Sequence, residues 1–306
     1  MEITYKHIKP VVKKKKAFST KLLISPYYGC THNCLFCPAN NGFLQKPVFD
    51  NYVQKNELCV VDNILEHIEN NLYSGTGEVQ TLHLSPVADP FQPAEKIFGM
   101  SRKIIEYCVD KNINLAICTK GSIPESIIPL LKKIKKVIVQ VTMYTPHEHI
   151  RKLLVKGDGA STKELINNLE ITQMPNVQRV LRIDPIFPYI TDSMDDFKQL
   201  VDIAVKYRVE CVLSSVADIV PGNLNKEAGY LDMLQEGLSA KYKRLYTKLI
   251  NGRLHANLDY RMNLFTQMRE ICRSVNIPFG ITWEPNEDGN SLCGAFSDSM
   301  ISELLD

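Results

Sequence analysis

From residue 21 onward the chain alternates short apolar runs with longer amphipathic stretches, the pattern of strands followed by helices. Leu22-Leu23-Ile24 reads as a short buried strand, and Val79 to Leu84, Ile113 to Cys118, Val137 to Val141, Val180 to Ile183 and Cys211 to Leu213 read as further strands. The Val137 run is rich in β-branched residues, as expected of a strand covered on both faces. Between the strands, apolar residues recur at helical spacing. Glu57 to Leu72 carries Leu58, Val61, Ile64, Leu65, Ile68 and Leu72, and Met194 to Tyr207 carries Phe197, Leu200, Val201, Ala204 and Val205. Ala94 to Val109, opening after Pro93, is a third helix, with others over Pro124 to Ile134 and Thr162 to Leu169. Leu231 to Ile250 and Asp259 to Val275 complete the helices, with a seventh strand at Phe279 to Trp283. Six repeats of strand then helix predict parallel strands joined by right-handed crossovers. The expected fold is α/β, a partial (β/α)6 TIM-type barrel with a helical C-terminal segment. The expected division is a basic segment over 1–20, a barrel core over 21–225 and a helical segment over 226–306 capping the barrel.

Composition narrows this picture only a little. With 306 residues, 44% of them apolar, the chain can bury a large core, and its net charge of +2 singles out no partner. Lys13 to Lys16 form one basic run, which can follow a phosphate backbone or simply be a solvated surface. The N-terminal stretch is polar and lacks the apolar core of a signal peptide, so the nine cysteines are expected to be reduced thiols in a cytoplasmic protein without a membrane span.

The chemistry concentrates in Ser25 to Ala39, SPYYGCTHNCLFCPA, where Cys30, Cys34 and Cys37 stand four and three residues apart. Thiolates this close on one loop can hold a soft metal centre. Zinc would ask for a fourth Cys or His at similar spacing, and the loop offers only His32. A four-iron cluster held by three thiolates keeps one iron open. This loop resembles that of the radical S-adenosylmethionine (SAM) enzymes. The resemblance implies a 4Fe–4S cluster on Cys30, Cys34 and Cys37, SAM on the open iron, and Phe36 against the adenine.

The ends of the other strands carry further points of resemblance. The Gly-Gly-Glu motif common in the family is absent after the second strand. The segment ADPFQPAEK, residues 88–96, is instead similar to the spore photoproduct lyase-like branch, often labelled DNA repair photolyases. Ser85 and Asp89 are then candidate SAM contacts, with turn formation the plainer role for Asp89. Glu95 reads as favourable charge at a helix N-terminus. Lys120 is placed as the SAM carboxylate ligand of that branch. Arg182 and Asp184 share one face of a strand, either as a self-contained pair or as SAM ligands. Cys118, Tyr144 and Cys293 are candidates for catalytic hydrogen or radical transfer. His147 and His149 lie two apart, poor spacing for a metal pair on a helix.

By resemblance, the activity is reductive cleavage of SAM and hydrogen abstraction by the 5′-deoxyadenosyl radical. An electron donor such as flavodoxin or ferredoxin is implied as a partner. Two substrate classes stay open: a nucleic acid or nucleotide in lyase-like chemistry, and a small biosynthetic metabolite. A non-catalytic iron–sulfur protein is the third alternative.

Overall fold

In the computed structural model, the described residues are 4–9, 21–37, 57–72, 80–85, 88–226, 228–282 and 284–298. Lys13 to Lys16 and Trp283 lie outside them. The strands are β1 (Thr4–Ile8), β2 (Lys21–Ile24), β3 (Tyr27–Tyr28), β4 (Glu57–Val61), β5 (Thr81–Leu84), β6 (Asn114–Thr119), β7 (Val137–Thr142), β8 (Val177–Ile186), β9 (Cys211–Val216), β10 (Lys248–Ile250), β11 (Arg253–His255) and β12 (Phe279–Ile281). Seven of them form one parallel sheet in the order β12-β9-β8-β7-β6-β5-β2. Helices connect successive strands, so the expected partial-barrel α/β class holds, with β12 as the added seventh strand. β7 is buried at every position, as its apolar run predicts. β2 is the edge of this sheet, and its Leu23 is 61% exposed rather than buried.

The chain divides into two compact units. The first takes in the described residues up to Val141 together with Lys152–Arg179. Here the expected helix over 57–72 is corrected. Glu57–Val61 is a strand, parallel to β1 and antiparallel to β3, and the helix spans only Ile64–Glu69. The run Leu58-Cys59-Val60-Val61 is buried throughout, which a strand covered on both faces allows and a one-sided helix does not. The helix expected from Ala94 to Val109 is two, Ala94–Phe98 and Met100–Lys111, because Gly99 sits in the left-handed region at φ 60°. Glu95 is correspondingly not a simple first-turn charge. Its buried carboxylate accepts from the Ser101 and Arg102 amides at 2.8 and 2.9 Å, capping the second helix, and from the Tyr27 hydroxyl at 2.6 Å. Over 124–134 a 3₁₀ turn, Glu125–Ile127, precedes a short helix, Ile128–Leu131. The helix Thr162–Ile171 opens on a capping box between Ser161 and Glu164.

The second unit holds Thr142–Arg151 and the described residues from Val180 onward. The helix Met194–Lys206 buries Phe197, Leu200, Val201 and Ala204, while Val205 turns outward at 46% exposure. The long helix Leu258–Ser274 packs on it and on β12. The helix expected from Leu231 to Ile250 is corrected. Helices Ala228–Leu234 and Leu238–Leu245 are followed by the hairpin β10–β11. Asn251 and Gly252, at φ 51° and 79°, make the tight turn that an Asn-Gly pair favours, a hairpin signal outweighed by the helical periodicity before it.

One ion pair anchors this unit. Arg261, 1% exposed, donates to Glu284 Oε2 and to the Pro285 carbonyl at 2.8 Å each, and to the Ala256 carbonyl at 2.9 Å. Glu284 Oε1 accepts from the Val216 amide at 2.5 Å. Burial pushes the Glu284 carboxyl up, and the Val216 amide and Arg261 oppose it. Arg261→Leu strands that carboxylate, and is expected to lower stability by about 3–5 kcal/mol in denaturant unfolding. A loss under about 1 kcal/mol would mean that solvent reaches Glu284.

Candidate iron–sulfur site

The cysteine loop is fastened at both ends before any ligand is considered. Ahead of it, the Pro26 carbonyl accepts from the Val61 amide at 3.0 Å, and Tyr27 and Tyr28 pair with Val60 and Cys59. Gln92, fully buried, then spans the loop entrance. Its Nε2 donates to the Gly29 carbonyl at 3.2 Å, and its Oε1 accepts from the Thr31 amide at 3.1 Å. Behind the loop runs a distant segment of the same unit. The Leu35 amide donates to the Leu154 carbonyl at 3.0 Å, and Cys34 bridges to Val155. The Gly157 and Asp158 amides donate to the His32 and Thr31 carbonyls at 2.9 and 3.2 Å.

Within this frame Cys30, Cys34 and Cys37 are half-buried free thiols, and the Cys37 amide closes a turn on the Cys34 carbonyl at 3.2 Å. Phe36, half-buried, lies inside that turn. Burial pushes the Cys30 thiol up, and the charges of Asp89 and Cys34 add to this. Cys34 is pushed up to about 12 by burial, with Lys120 opposing and Cys37 and Asp89 adding. Cys34 therefore lies within electrostatic reach of Cys30, Cys37 and Lys120. Among the described residues no three His, Cys, Asp or Glu side chains converge as a single ion would require. A cluster with one thiolate per iron asks for separate sulfurs on one loop, and an iron bound to such a sulfur removes its proton. The donor set fits a cluster. Two hydroxyls, Thr31 Oγ1 and Ser85 Oγ, are buried without a hydrogen-bond partner among the described residues.

Asp89 lies next to this loop with both oxygens engaged. Oδ1 accepts from Thr119 Oγ1 at 2.8 Å and from the Phe91 amide at 3.0 Å, and Oδ2 accepts from the Lys120 amide at 2.6 Å. The buried His32 Nδ1 is 3.6 Å from Oδ2. The Lys120 carbonyl accepts from the Ala160 amide at 3.0 Å, so both backbone groups of Lys120 are held. Asn168, fully buried, completes the clamp. It donates to the Gly121 carbonyl at 2.8 Å and accepts from the Ile123 amide at 2.9 Å. Asn168→Ala strips the buried Ile123 amide of its side-chain acceptor and leaves the Gly121 carbonyl only the long 3.5 Å contact from Thr119 Oγ1, and is expected to cost roughly 2–4 kcal/mol in denaturant unfolding. An unchanged midpoint would show that neither group depends on it. Ser85 holds a left-handed φ of 58°, costly for a serine, with its amide donating to the Ile24 carbonyl at 2.6 Å.

The structure thus brings Cys30, Cys34, Cys37, Asp89 and Lys120 together in the first unit, and Cys118 is half-buried on β6 there. The second unit holds Arg182, Asp184, Tyr144 and Cys293. Arg182 and Asp184 form an ion pair, and Asp184 also accepts from Ser215 and, at 3.3 Å, from Thr282 Oγ1. Tyr144 is buried just past β7, and Cys293 is half-buried. His147 Nε2 lies 3.0 Å from Asp196 Oδ1. Gln92, Thr119, Gly157 and Asn168 are the site residues that sequence reasoning passed over. Gln92 stood inside the quoted 88–96 segment. The others had no local signal beyond Gly157 in a Gly-Asp-Gly turn.

A parallel α/β sheet whose edge strand β2 leads toward a loop carrying three thiols is a partial-barrel arrangement with its thiols gathered on one loop. The chain belongs to the radical SAM superfamily, whose family model matches residues 24–214. It is 26% identical over 193 residues to an uncharacterized protein of Methanocaldococcus jannaschii, covering 63% of this chain and 70% of that one. It is 25% identical over 187 residues to the radical SAM Nα-GlyT isomerase of Pseudomonas phage M6, covering 61% of this chain but only 37% of the isomerase. Among solved structures, spore photoproduct lyase complexed with dinucleoside spore photoproduct matches at TM-score 0.62 and 12% identity, over 89% of this chain and 79% of that one. The methyltransferase TsrM of Kitasatospora setae, with tryptophan and a SAM analogue bound, matches at TM-score 0.55 and 10% identity, over 89% of this chain and 55% of that one. At such identities these last two are likenesses of fold. Membership of the radical SAM superfamily implies a 4Fe–4S cluster and SAM, and enzymes of this family need a reductant and a substrate. No described helix is long and apolar enough to cross a membrane.

Proposed function

We propose that this enzyme abstracts hydrogen from a nucleoside-containing substrate in lyase- or isomerase-type chemistry, with its cluster on Cys30, Cys34 and Cys37. The observation that carries the cluster assignment is the loop itself, three thiols on a backbone fastened independently by Gln92 and by residues 154–158. A cluster held by Cys30, Cys34 and Cys37 would, when reduced, supply the one electron needed for reductive cleavage of SAM. The protein's own part is placement. Phe36 would hold the adenine of SAM. The Lys120 ammonium would bind the SAM carboxylate, its backbone clamped by Asp89 and Ala160. The buried Ser85 hydroxyl, without a hydrogen-bond partner among the described residues, would be a second polar contact for SAM. Asp89, its oxygens occupied within the chain, acts as a positioning residue for Lys120.

The substrate class is supported by the fold likeness to a lyase that binds a dinucleoside. The net charge of +2 favours a nucleoside or short oligonucleotide over a long duplex, whose phosphates reward many cations. The test is anaerobic incubation of the cluster-loaded chain with dithionite, SAM and, in separate reactions, deuterated nucleosides, dinucleotides or tryptophan. The expected result is 5′-deoxyadenosine carrying deuterium from a nucleoside. Label arriving only from an amino acid such as tryptophan would replace the substrate class with the small-molecule one. No 5′-deoxyadenosine at all would overturn the enzymatic reading.

A further inference from the structure

The turn after β8 holds one tyrosine in a strained position. The Ile190 and Thr191 amides donate to the Phe187 carbonyl at 3.0 and 2.9 Å, and the Phe187 amide donates to Thr191 Oγ1 at 2.8 Å. Inside this turn Tyr189 takes a left-handed φ of 65° and stays 40% exposed. Such an angle is costly for a bulky side chain, and such positions cluster at ligand clamps. In the same unit, Tyr242 on the helix Leu238–Leu245 is buried, its ring centre 6.3 Å from that of Tyr189. Its hydroxyl has no hydrogen-bond partner among the described residues, which is uncommon for a buried phenol. Burial pushes this hydroxyl up, and Asp192 and Tyr189 add to the shift. Asp192, half-buried, accepts from the Tyr260 hydroxyl through Oδ2 at 2.6 Å, which leaves Oδ1 to accept from something else. Lys241 Nζ stands 5.4 Å from the centre of the Tyr189 ring.

We propose that Tyr189, Asp192, Tyr242 and Lys241 form a binding site for a nucleobase and the phosphate on its sugar. The inference deepens the nucleoside reading above and rests on it for the substrate class. The exposed part of the Tyr189 ring offers a stacking face, which any base can use. The pairing edge of a base sets an N–H donor beside an acceptor, as thymine does with its imide N–H and carbonyl. Asp192 Oδ1 accepts from that donor, and the Tyr242 hydroxyl donates to the acceptor. This hydroxyl is closed off from solvent, so the Tyr189 ring must turn aside about its side-chain bonds to admit the base edge. Lys241 meets the phosphate. An organic ammonium ligand fits less well, because Lys241 already brings a positive charge to this ring. Asp195, Asp196 and Glu236 stand close in the chain against Lys243 and Arg244, so the phosphate adds only a small gain.

The experiment is calorimetric binding to the full chain with its cluster reconstituted and SAM present, without reductant, so that the SAM site is filled and nothing turns over. Thymidine 5′-monophosphate is expected to bind about threefold tighter than thymidine at low salt, and no tighter at about 1 M salt. N3-methylthymidine, which lacks the imide N–H, is expected to bind about tenfold more weakly than thymidine. Tyr189→Ala should weaken both nucleosides about tenfold, and Asp192→Ala should abolish the difference between them. Equal binding of thymidine and N3-methylthymidine to the wild-type chain would overturn the proposal without recourse to any variant. So would unchanged affinity in Y189A, or benzylammonium binding tighter than thymidine, which would make this a site for an organic cation. Deuterium transfer from a nucleoside by a chain that fails these binding tests would overturn this site and leave the nucleoside reading standing. Binding as expected, with no 5′-deoxyadenosine formed under reduction, would do the reverse.

Discussion

Alanine at Cys30, Cys34 and Cys37 together is expected to bring SAM-dependent 5′-deoxyadenosine formation down to the level of a protein-free control. The fold should survive the change. The loop is held through its backbone by Gln92, Leu154, Gly157 and Asp158, and none of these bonds uses a thiol. Three half-buried sulfurs contribute modestly to packing, and removing them strips the ligand set without opening a large cavity. Iron content per chain and the paramagnetic signal of the reduced protein should vanish while far-ultraviolet circular dichroism stays as in the wild type. Turnover persisting in the triple variant would refute the assignment of the cluster to this loop.

The second large effect lies far along the chain from those cysteines. A Cβ placed on Gly157 would stand 1.8 Å from the Thr31 carbonyl oxygen and 2.9 Å from the His32 carbonyl carbon and oxygen. These are backbone atoms, so no side chain can swing aside, and the loop or its backing segment must move. Overpacking of this kind costs about 1–3 kcal/mol. The larger consequence is for ligand geometry, since the displaced carbonyls flank Cys30 and Cys34. Gly157→Ala is therefore expected to fold with a modestly lowered melting temperature but to retain only a minor share of wild-type iron after reconstitution. Full iron loading in G157A would show that the thiols find their geometry without this close approach.

The two corrected helices show where pattern reading loses its grip. Over 57–72, Leu58, Val61 and Ile64 fit a helical stripe, yet Cys59 and Val60 between them are equally buried, in a strand lying between β1 and β3. Periodicity sees one face at a time, and a segment covered on both sides satisfies several periods at once. Over 231–250, the Asn251-Gly252 turn lies just beyond the expected helix end, and its partner strand is three residues long, too short to announce itself. Arg182 and Asp184 were legible as a same-face pair, because alternation along a strand is local. The bonds that Asp184 accepts from Ser215 and Thr282 were not, because those arrive from β9 and from just past β12.

What this sequence determined unaided was the family and the architecture class. Four- and three-residue gaps put the three thiols on one loop whatever surrounds it, and repeated strand–helix alternation leaves few ways to build a sheet. Tertiary structure alone decided who holds that loop and what Asp89 and Glu95 do. Gln92, Gly157 and Asn168 act through hydrogen bonds and close approaches between segments remote in the chain, and such contacts leave no period or spacing to read. Asp89 reads as a turn former or a SAM contact, and only folding brings Thr119 and Lys120 to it, while Glu95 reads as charge at a helix N-terminus until Gly99 turns a second helix onto it.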